Sequence, residues 1–398
     1  MRTSTANSYQ ASLDSLVNRQ AALSQTQEQM TTGKRVNRAS DDPAAAARAE
    51  RALATEQRSV ASQRAVDASD NAMALTESAL GNAGELLQSV REALISAGNA
   101  TYTDAERSLV AARIQDLRSE LLAVANRSDG AGTYLFGGQG SNQPPFIDAP
   151  GGVQFRGTAG ATQAGSGEPL PLTMDGESTW MQARTGNGVF ETRALTSTGS
   201  AVIGAGSVTN PAALTGSTYR IAFSVVAGAT TYSVLKDGAP TAQSNLAFTS
   251  GQAIQVDGMA ATIAGAPASG DVFQLAPSTS SLSVFDMLDQ AVAGLKTPGR
   301  STTQIAQANA VNLSGLDSVL GQSLAGRSQV GATMNRIDRV GERLSALKLS
   351  SQTERSNAED LDMTQAISDF SNRQTGYDAA LKAYSMVQRL SLFNYVNG

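Results

Sequence analysis

Tyr9-Gln-Ala-Ser-Leu13-Asp-Ser-Leu16-Val-Asn-Arg-Gln20-Ala-Ala-Leu23-Ser-Gln-Thr-Gln27-Glu-Gln-Met30 is the stretch on which the fold turns. Large apolar residues recur seven apart at Tyr9, Leu16, Leu23 and Met30, with Leu13, Gln20 and Gln27 interleaved. The far end of the chain repeats the arrangement. Met363, Phe370, Tyr377 and Tyr384 are again seven apart, and Ile367, Gln374, Leu381 and Gln388 fill the places between. Spacings of three and four that sustain a heptad describe helices with one seam turned to another helix. Two such seams at opposite termini read as one coiled-coil layer. An isolated pair of this length buries too little apolar surface to offset its ordering entropy, so the ends are expected to order when neighbouring subunits cover them.

The chain has 398 residues, room for two or three domains with their own cores. Aromatics make up 5% and Trp180 is the single tryptophan, a composition that suits long Ala-rich helices. Net charge is -5 with no run of like charge, so there is no basic face to recommend a nucleic-acid partner. There is no Cys and no His. That removes thiolate nucleophiles, Ser-His-Asp triads, imidazole acid-base work and the usual zinc and copper sites. No catalytic, cofactor-binding or metal residues are assigned, and no enzyme is expected. The N-terminus Met-Arg-Thr-Ser-Thr leads into no apolar core of a cleaved signal, and no 18-residue apolar run occurs, so no membrane insertion is expected.

After the first seam, Gly33 is placed to end the helix, and Asp42-Pro43 reads as an N-cap followed by proline at the first helical position. A long Ala-rich helix follows from Pro43 to about Gly98, its stripe at Val66, Met73, Leu80, Leu87 and Leu94. Thr103 to Glu106 is a capping box before Val110, Ile114, Leu117, Leu121 and Val124. The glycine-rich run Gly130 to Gly140 has neither G-x-G-x-x-G nor Walker spacing and follows a helix, so it reads as a turn leading out of the bundle and not as a phosphate loop.

Glycine and proline then concentrate, marking a separate module. Thr218 to Val226, Thr231 to Leu235, a hairpin around Asp257-Gly258 and Val272 to Leu275 read as strands of a small antiparallel β domain. Helices resume at Ser281, with seams at Phe285, Leu288, Val292 and Leu295 and then at Val330, Met334, Ile337 and Leu344. Between about Ser350 and Arg389 there is no proline and only Gly376, which reads as one uninterrupted helix. The ending Leu390-Ser-Leu-Phe-Asn-Tyr-Val396 is apolar, the kind of patch that meets a partner. Ser345-Ala-Leu-Lys348 and Ser69-Asp-Asn71 echo serine-hydrolase elements, but in the wrong order and within helical seams.

The expected fold is mainly α, a long-helix coiled-coil bundle formed by both chain ends with the small antiparallel β domain inserted. The expected divisions are 1–40 with 360–398 as a terminal coiled-coil layer, 41–140 with 281–359 as a helical bundle, and 141–280 as a β-rich outer domain. Subunit-interface residues are expected at Tyr9, Leu13, Leu16, Leu23, Met30, Met363, Ile367, Phe370, Tyr377, Leu381, Tyr384, Leu392, Phe393 and Tyr395.

Leu23-Ser-Gln-Thr-Gln-Glu-Gln-Met-Thr-Thr-Gly-Lys-Arg-Val36, Ser40-Asp-Asp-Pro-Ala-Ala-Ala46, Tyr134-Leu-Phe-Gly-Gly138 with Pro144-Pro-Phe146, and the ending Leu390 to Val396 together resemble the flagellin superfamily, in its hook-associated protein 3 branch. The resemblance implies an axial protein at the junction of the bacterial flagellar hook and filament, extracellular and exported unfolded by the flagellar type III apparatus without a cleaved signal. It implies copies of itself in a ring, hook-associated protein 1 on the hook side, flagellin on the filament side, and a cytosolic export chaperone at the stripe from Phe370 to Tyr395. The alternative is a flagellin-like filament subunit. Pro43, where flagellins resemble each other in an alanine, and the Leu-Phe-Asn-Tyr ending in place of a Leu-Leu-Arg type depart from it.

Overall fold

The computed structural model describes residues 5–140, 142–165 and 168–396, with side chains from residue 10 to residue 386 within those ranges. Helix α1 (Thr5–Thr32) stops at Gly33, whose φ of +70° favours a residue without Cβ. Asp42 then caps α2 (Pro43–Ala97), its Oδ1 accepting from the Ala45 amide at 3.0 Å. Helix α3 (Asp104–Ala125) opens on the expected reciprocal cap. Glu106 N donates to Thr103 Oγ1 at 3.3 Å, and Thr103 N donates to Glu106 Oε2 at 2.7 Å.

The chain next forms β1 (Phe146–Ala149), β2 (Gly152–Phe155), the short α4 (Gly176–Trp180), β3 (Ala183–Arg184), β4 (Phe190–Thr196), β5 (Val202–Ile203) and β6 (Ser207–Val208). Strands β7 (Tyr219–Val226), β8 (Ala229–Lys236), β9 (Ala239–Pro240), β10 (Leu246–Ala247), β11 (Ala253–Val256), β12 (Met259–Ala264), β13 (Val272–Pro277) and β14 (Ser280–Leu282) follow. Three helices close the chain: α5 (Val284–Lys296), α6 (Thr302–Glu359) and α7 (Met363–Val396).

Two compact units result, Met1–Arg64 with Val340–Gly398, and Ala65–Arg339. In the second unit the period-seven stripe of α2 is the core: Val66, Met73, Leu80, Leu87 and Leu94 are all buried. Ile114 and Leu121 of α3, Phe285 and Leu288 of α5, and Leu316, Val330 and Ile337 of α6 are buried as well. Ion pairs Glu77 with Arg327 and Arg91 with Asp317 tie α2 to α6 in antiparallel sense. Arg118 of α3 is buried and forks onto two carboxylates: Nη1 and Nη2 donate to Asp148 at 2.7 and 3.0 Å, and Nη2 donates to Asp289 of α5 at 2.8 Å.

The glycine-rich run after α3 is part of this core. Leu135 and Phe136 are fully buried, and Phe136 meets Trp180 edge to face at 5.2 Å between ring centres. Asn126 pins the return by bonding both backbone groups of Phe146.

Strands β10-β8-β7-β13-β4, with β9 beside β8, form one antiparallel sheet, and β11-β12-β5, with β6 beside β12, form another. Side chains of both, including Phe190, Tyr219, Ile221, Phe223, Val234, Ile254, Ile263 and Phe273, make one buried cluster. Tyr219, Ile221 and Phe223 point inward as the alternation of β7 dictates. The Asp257-Gly258 hairpin between β11 and β12 forms as expected, both residues at positive φ. Strand β4, which sequence reading missed, pairs with β13 and carries one large inward residue, Phe190.

One expectation is corrected. The segment from Ser350 to Arg389 is two helices, broken at Asp360–Asp362. Neither glycine nor proline stands there. Asp362 caps α7 by accepting from Thr364 and Gln365 amides at 2.9 and 3.2 Å, and Leu361 N donates to Gly33 O at 3.0 Å. The break is made by a local cap and by the backbone that lies across from it.

Candidate assembly interface

Within the first unit α1 and α7 lie side by side, antiparallel. Lys34 faces Asp360 in an antiparallel bridge, and Arg373 Nη1 donates to Ala22 O at 3.0 Å. The contact runs through small or flexible side chains. A Cβ on Gly376 would stand 2.9 Å from Arg19 Nη1, while Thr26 and Ala366 are the buried residues of the two helices among the described side chains. The hydroxyl of Thr26 is satisfied by Ala22 O at 2.9 Å.

At about 100° per residue, Leu16, Leu23 and Met30 lie further round α1 than Arg19, Ala22 and Thr26. They and Leu13 are only half-buried, and Val17 beside them is 57% exposed. On α7 the aromatic residues Phe370, Tyr377 and Tyr384 flank the contact and are half-buried. Met363, Ile367 and Leu381, further round again, are exposed, Ile367 by 56%. No large apolar side chain of either helix is buried among the described ones. The pair therefore presents an apolar edge along its length, a surface that water disfavours and a further helix can cover. On the other side of the α1–α7 contact, Asp14, Asn18 and Arg19 line an open groove shared with Arg373.

Of the residues expected at the interface, Leu13, Leu16, Leu23, Met30, Met363, Ile367, Phe370, Tyr377, Leu381 and Tyr384 thus stand on these two helices with unburied surface. Tyr9, Leu392, Phe393 and Tyr395 lie outside the described side chains. Sequence reading did not pick out Arg19, Ala22, Thr26 and Gly376 at the α1 to α7 contact; the spacing of three and four from Arg19 to Ala22 to Thr26 and the single glycine of α7 were the available signals.

No group of acidic residues among the described ones is placed to hold a metal. Asp41 is engaged by the amides of Asn37 and Arg38, and Asp42 by the α2 cap. Ser69, in the hydrolase-like triplet, is buried with its hydroxyl donated to Pro171 O at 2.6 Å. No helix of the described residues is long and apolar enough to cross a membrane.

Residues 3–141 match the bacterial flagellin N-terminal helical region, and residues 313–396 match the bacterial flagellin C-terminal helical region. The two stretches hold α1, α2, α3 and α7 and most of α6. Over 397 residues, 99% of both chains, the protein is 26% identical to flagellar hook-associated protein 3 of Escherichia coli strain K12. The chain belongs to the flagellin superfamily, in its hook-associated protein 3 branch. Its fold is similar to the crystal structure of hook-associated protein 3 from Legionella pneumophila, at 27% identity and a TM-score of 0.70, covering 77% of this chain and 96% of that one. Xanthomonas campestris FlgL is similar at 27% identity and a TM-score of 0.69, covering 77% and 99%. The terminal helices and the inserted antiparallel module of the superfamily member are those described above.

Proposed function

We propose that this chain is a structural axial protein of the bacterial flagellum, an adaptor at the hook–filament junction on which flagellin assembles. The observation that carries the reading is the full-length similarity to hook-associated protein 3, joined to an α1–α7 pair whose apolar edge has no cover within the described chain. Copies of itself in a ring, hook-associated protein 1 on one side and flagellin on the other would complete that edge through Leu13, Leu16, Leu23, Met30, Ile367 and Leu381. The layers follow: residues 1–40 with 360–398 innermost, 41–140 with 281–359 next, and 141–280 facing solvent. Export without a cleaved signal, to the extracellular junction, accords with a chain free of Cys. The stripe from Phe370 to Tyr395 is the candidate chaperone site in the cytosol. No reaction is assigned to the chain, and among the described residues no group of acidic side chains is placed to hold a metal.

Electron microscopy of purified protein mixed with axial partners tests the reading. Short junction rings that form only with hook-side and filament-side proteins are expected. Long filaments of this protein alone would move it to the flagellin-like reading, which the match to both flagellin terminal regions keeps in view.

A further inference from the structure

Gly33 to Asp42, between α1 and α2, is the most distinctive loop of the sequence, and helix capping uses only its ends. The break between α6 and α7 lies directly against it. Arg35 N donates to Glu359 O at 2.7 Å, and Leu361 N returns a bond to Gly33 O, so the two interruptions pair as a fragment of antiparallel sheet. The Arg35 side chain spans three segments. Nη2 donates to Ala358 O at 2.8 Å, one of the last carbonyls of α6, and Nη1 donates to Asp42 Oδ2 at 3.1 Å, the carboxylate that caps α2. Gln29 Nε2, from the last turns of α1, donates to Arg35 O at 2.7 Å. Lys34 adds an ion pair to Glu359 at 3.2 Å, and Val36 is buried beneath.

We propose that Arg35 is a positioning residue for the assembly surface: it locks the α1–α2 loop to the α6–α7 break, so that α1 and α7 leave the ends of α2 and α6 as one two-helix blade in one orientation. The inference rests on the proposed junction role. An apolar edge made of two helices from opposite chain ends is a single surface only while both ends are held at one joint. A planar guanidinium reaches a helix-end carbonyl and a capping carboxylate together, a task that the point charge of lysine does not reproduce.

The chain has no cysteine of its own, so the label sites are cysteines in the variants without a disulfide, and ketone-bearing side chains at positions 18 and 51 carry the labels where a disulfide pair is introduced. In the free full-length monomer, spin labels at Asn18→Cys and Arg51→Cys read the distance from α1 to α2. Arg35→Ala and Arg35→Lys should both broaden that distribution while the melting of the β module stays where it is in the parent. Incorporation into junctions should fall at least about tenfold, because affinity scales with the fraction of monomer holding the competent arrangement. Lys34→Cys with Asp360→Cys, which face each other across the bridge, should form a disulfide that restores a narrow distribution and incorporation in the Arg35→Ala background. An unbroadened distribution overturns the proposal. So does parent-level incorporation by Arg35→Ala, and so does a disulfide that narrows the distance without restoring incorporation, which would make Arg35 a contact for a neighbouring subunit. The monomer distances test the clasp even if the chain assembles elsewhere than the junction.

Discussion

Arg118 shows how one side chain can hold three segments of the second unit. It is buried, yet Asp148 and Asp289 keep about half of their side-chain surface in water, so removing the arginine leaves carboxylates that solvent can still reach. Arg118→Ala should therefore destabilise by about 2 kcal/mol, below the usual cost of breaking a fully buried pair, measured by urea unfolding at neutral pH. The hydrogen bonds from Arg118 hold the Asp148 carboxyl below the usual carboxylate range. That contribution is present above the unfolded carboxylate range and is lost as pH falls through the folded value, so Arg118→Ala should also flatten the acid limb of the stability profile. Asp286 has the opposite sign. Burial first, and then Asp289, raise its pKa, so its cost grows as pH rises above the unfolded range, and Asp286→Asn should be more stable than the parent at pH 7 and not at pH 3. Gly138 has φ +68° and a Cβ there would stand 1.7 Å from Thr158 O. Gly138→Ala should cost at least about 2 kcal/mol and lower the thermal midpoint accordingly. The capping residues Asp42, Thr103 and Glu106 were legible because a cap is a local contract between neighbours in sequence; Arg118 was not, since its partners lie far along the chain.

Helices α1 and α2 carry the same heptad spacing and meet different fates, and burial separates them. Leu80 of α2 is fully buried, so Leu80→Ala should cost about 3 to 4 kcal/mol and depress melting of the second unit. Ile367 and Leu381 of α7 are exposed, so Ile367→Ser with Leu381→Ser should change monomer stability by less than about 0.5 kcal/mol each while abolishing junction assembly. Unchanged assembly in that double variant would remove the apolar edge from the interface. Periodicity identified every one of these elements as helical, because the 3.6-residue repeat is written into the chain. It did not identify the break at Asp360–Asp362: the Asp362 cap is a local signal that the reading passed over, and the other bond at the break comes from Gly33, far along the chain. Nor did it find β4, whose Phe190-Glu-Thr-Arg-Ala-Leu-Thr196 becomes a strand by pairing with β13.

As a whole molecule the protein divides its labour between a unit that completes its own core and one that leaves an edge uncovered. Deleting residues 1–40 and 360–398 together should leave the β module and the core around Leu80, Ile114 and Phe285 folded, with the melting transition of the second unit retained in calorimetry. The same deletion should eliminate incorporation beneath the filament and swimming in a complemented strain. By itself the sequence determined the helical class, the inserted antiparallel module, the caps and the α2 seam, because these depend on spacing and on bonds between near neighbours. Only the tertiary structure decided which face of α1 meets α7, where the last long helix breaks, and that Arg35 joins the two chain ends. Those are choices among competing partners hundreds of residues away, and a heptad specifies an apolar stripe without saying which neighbour will cover it.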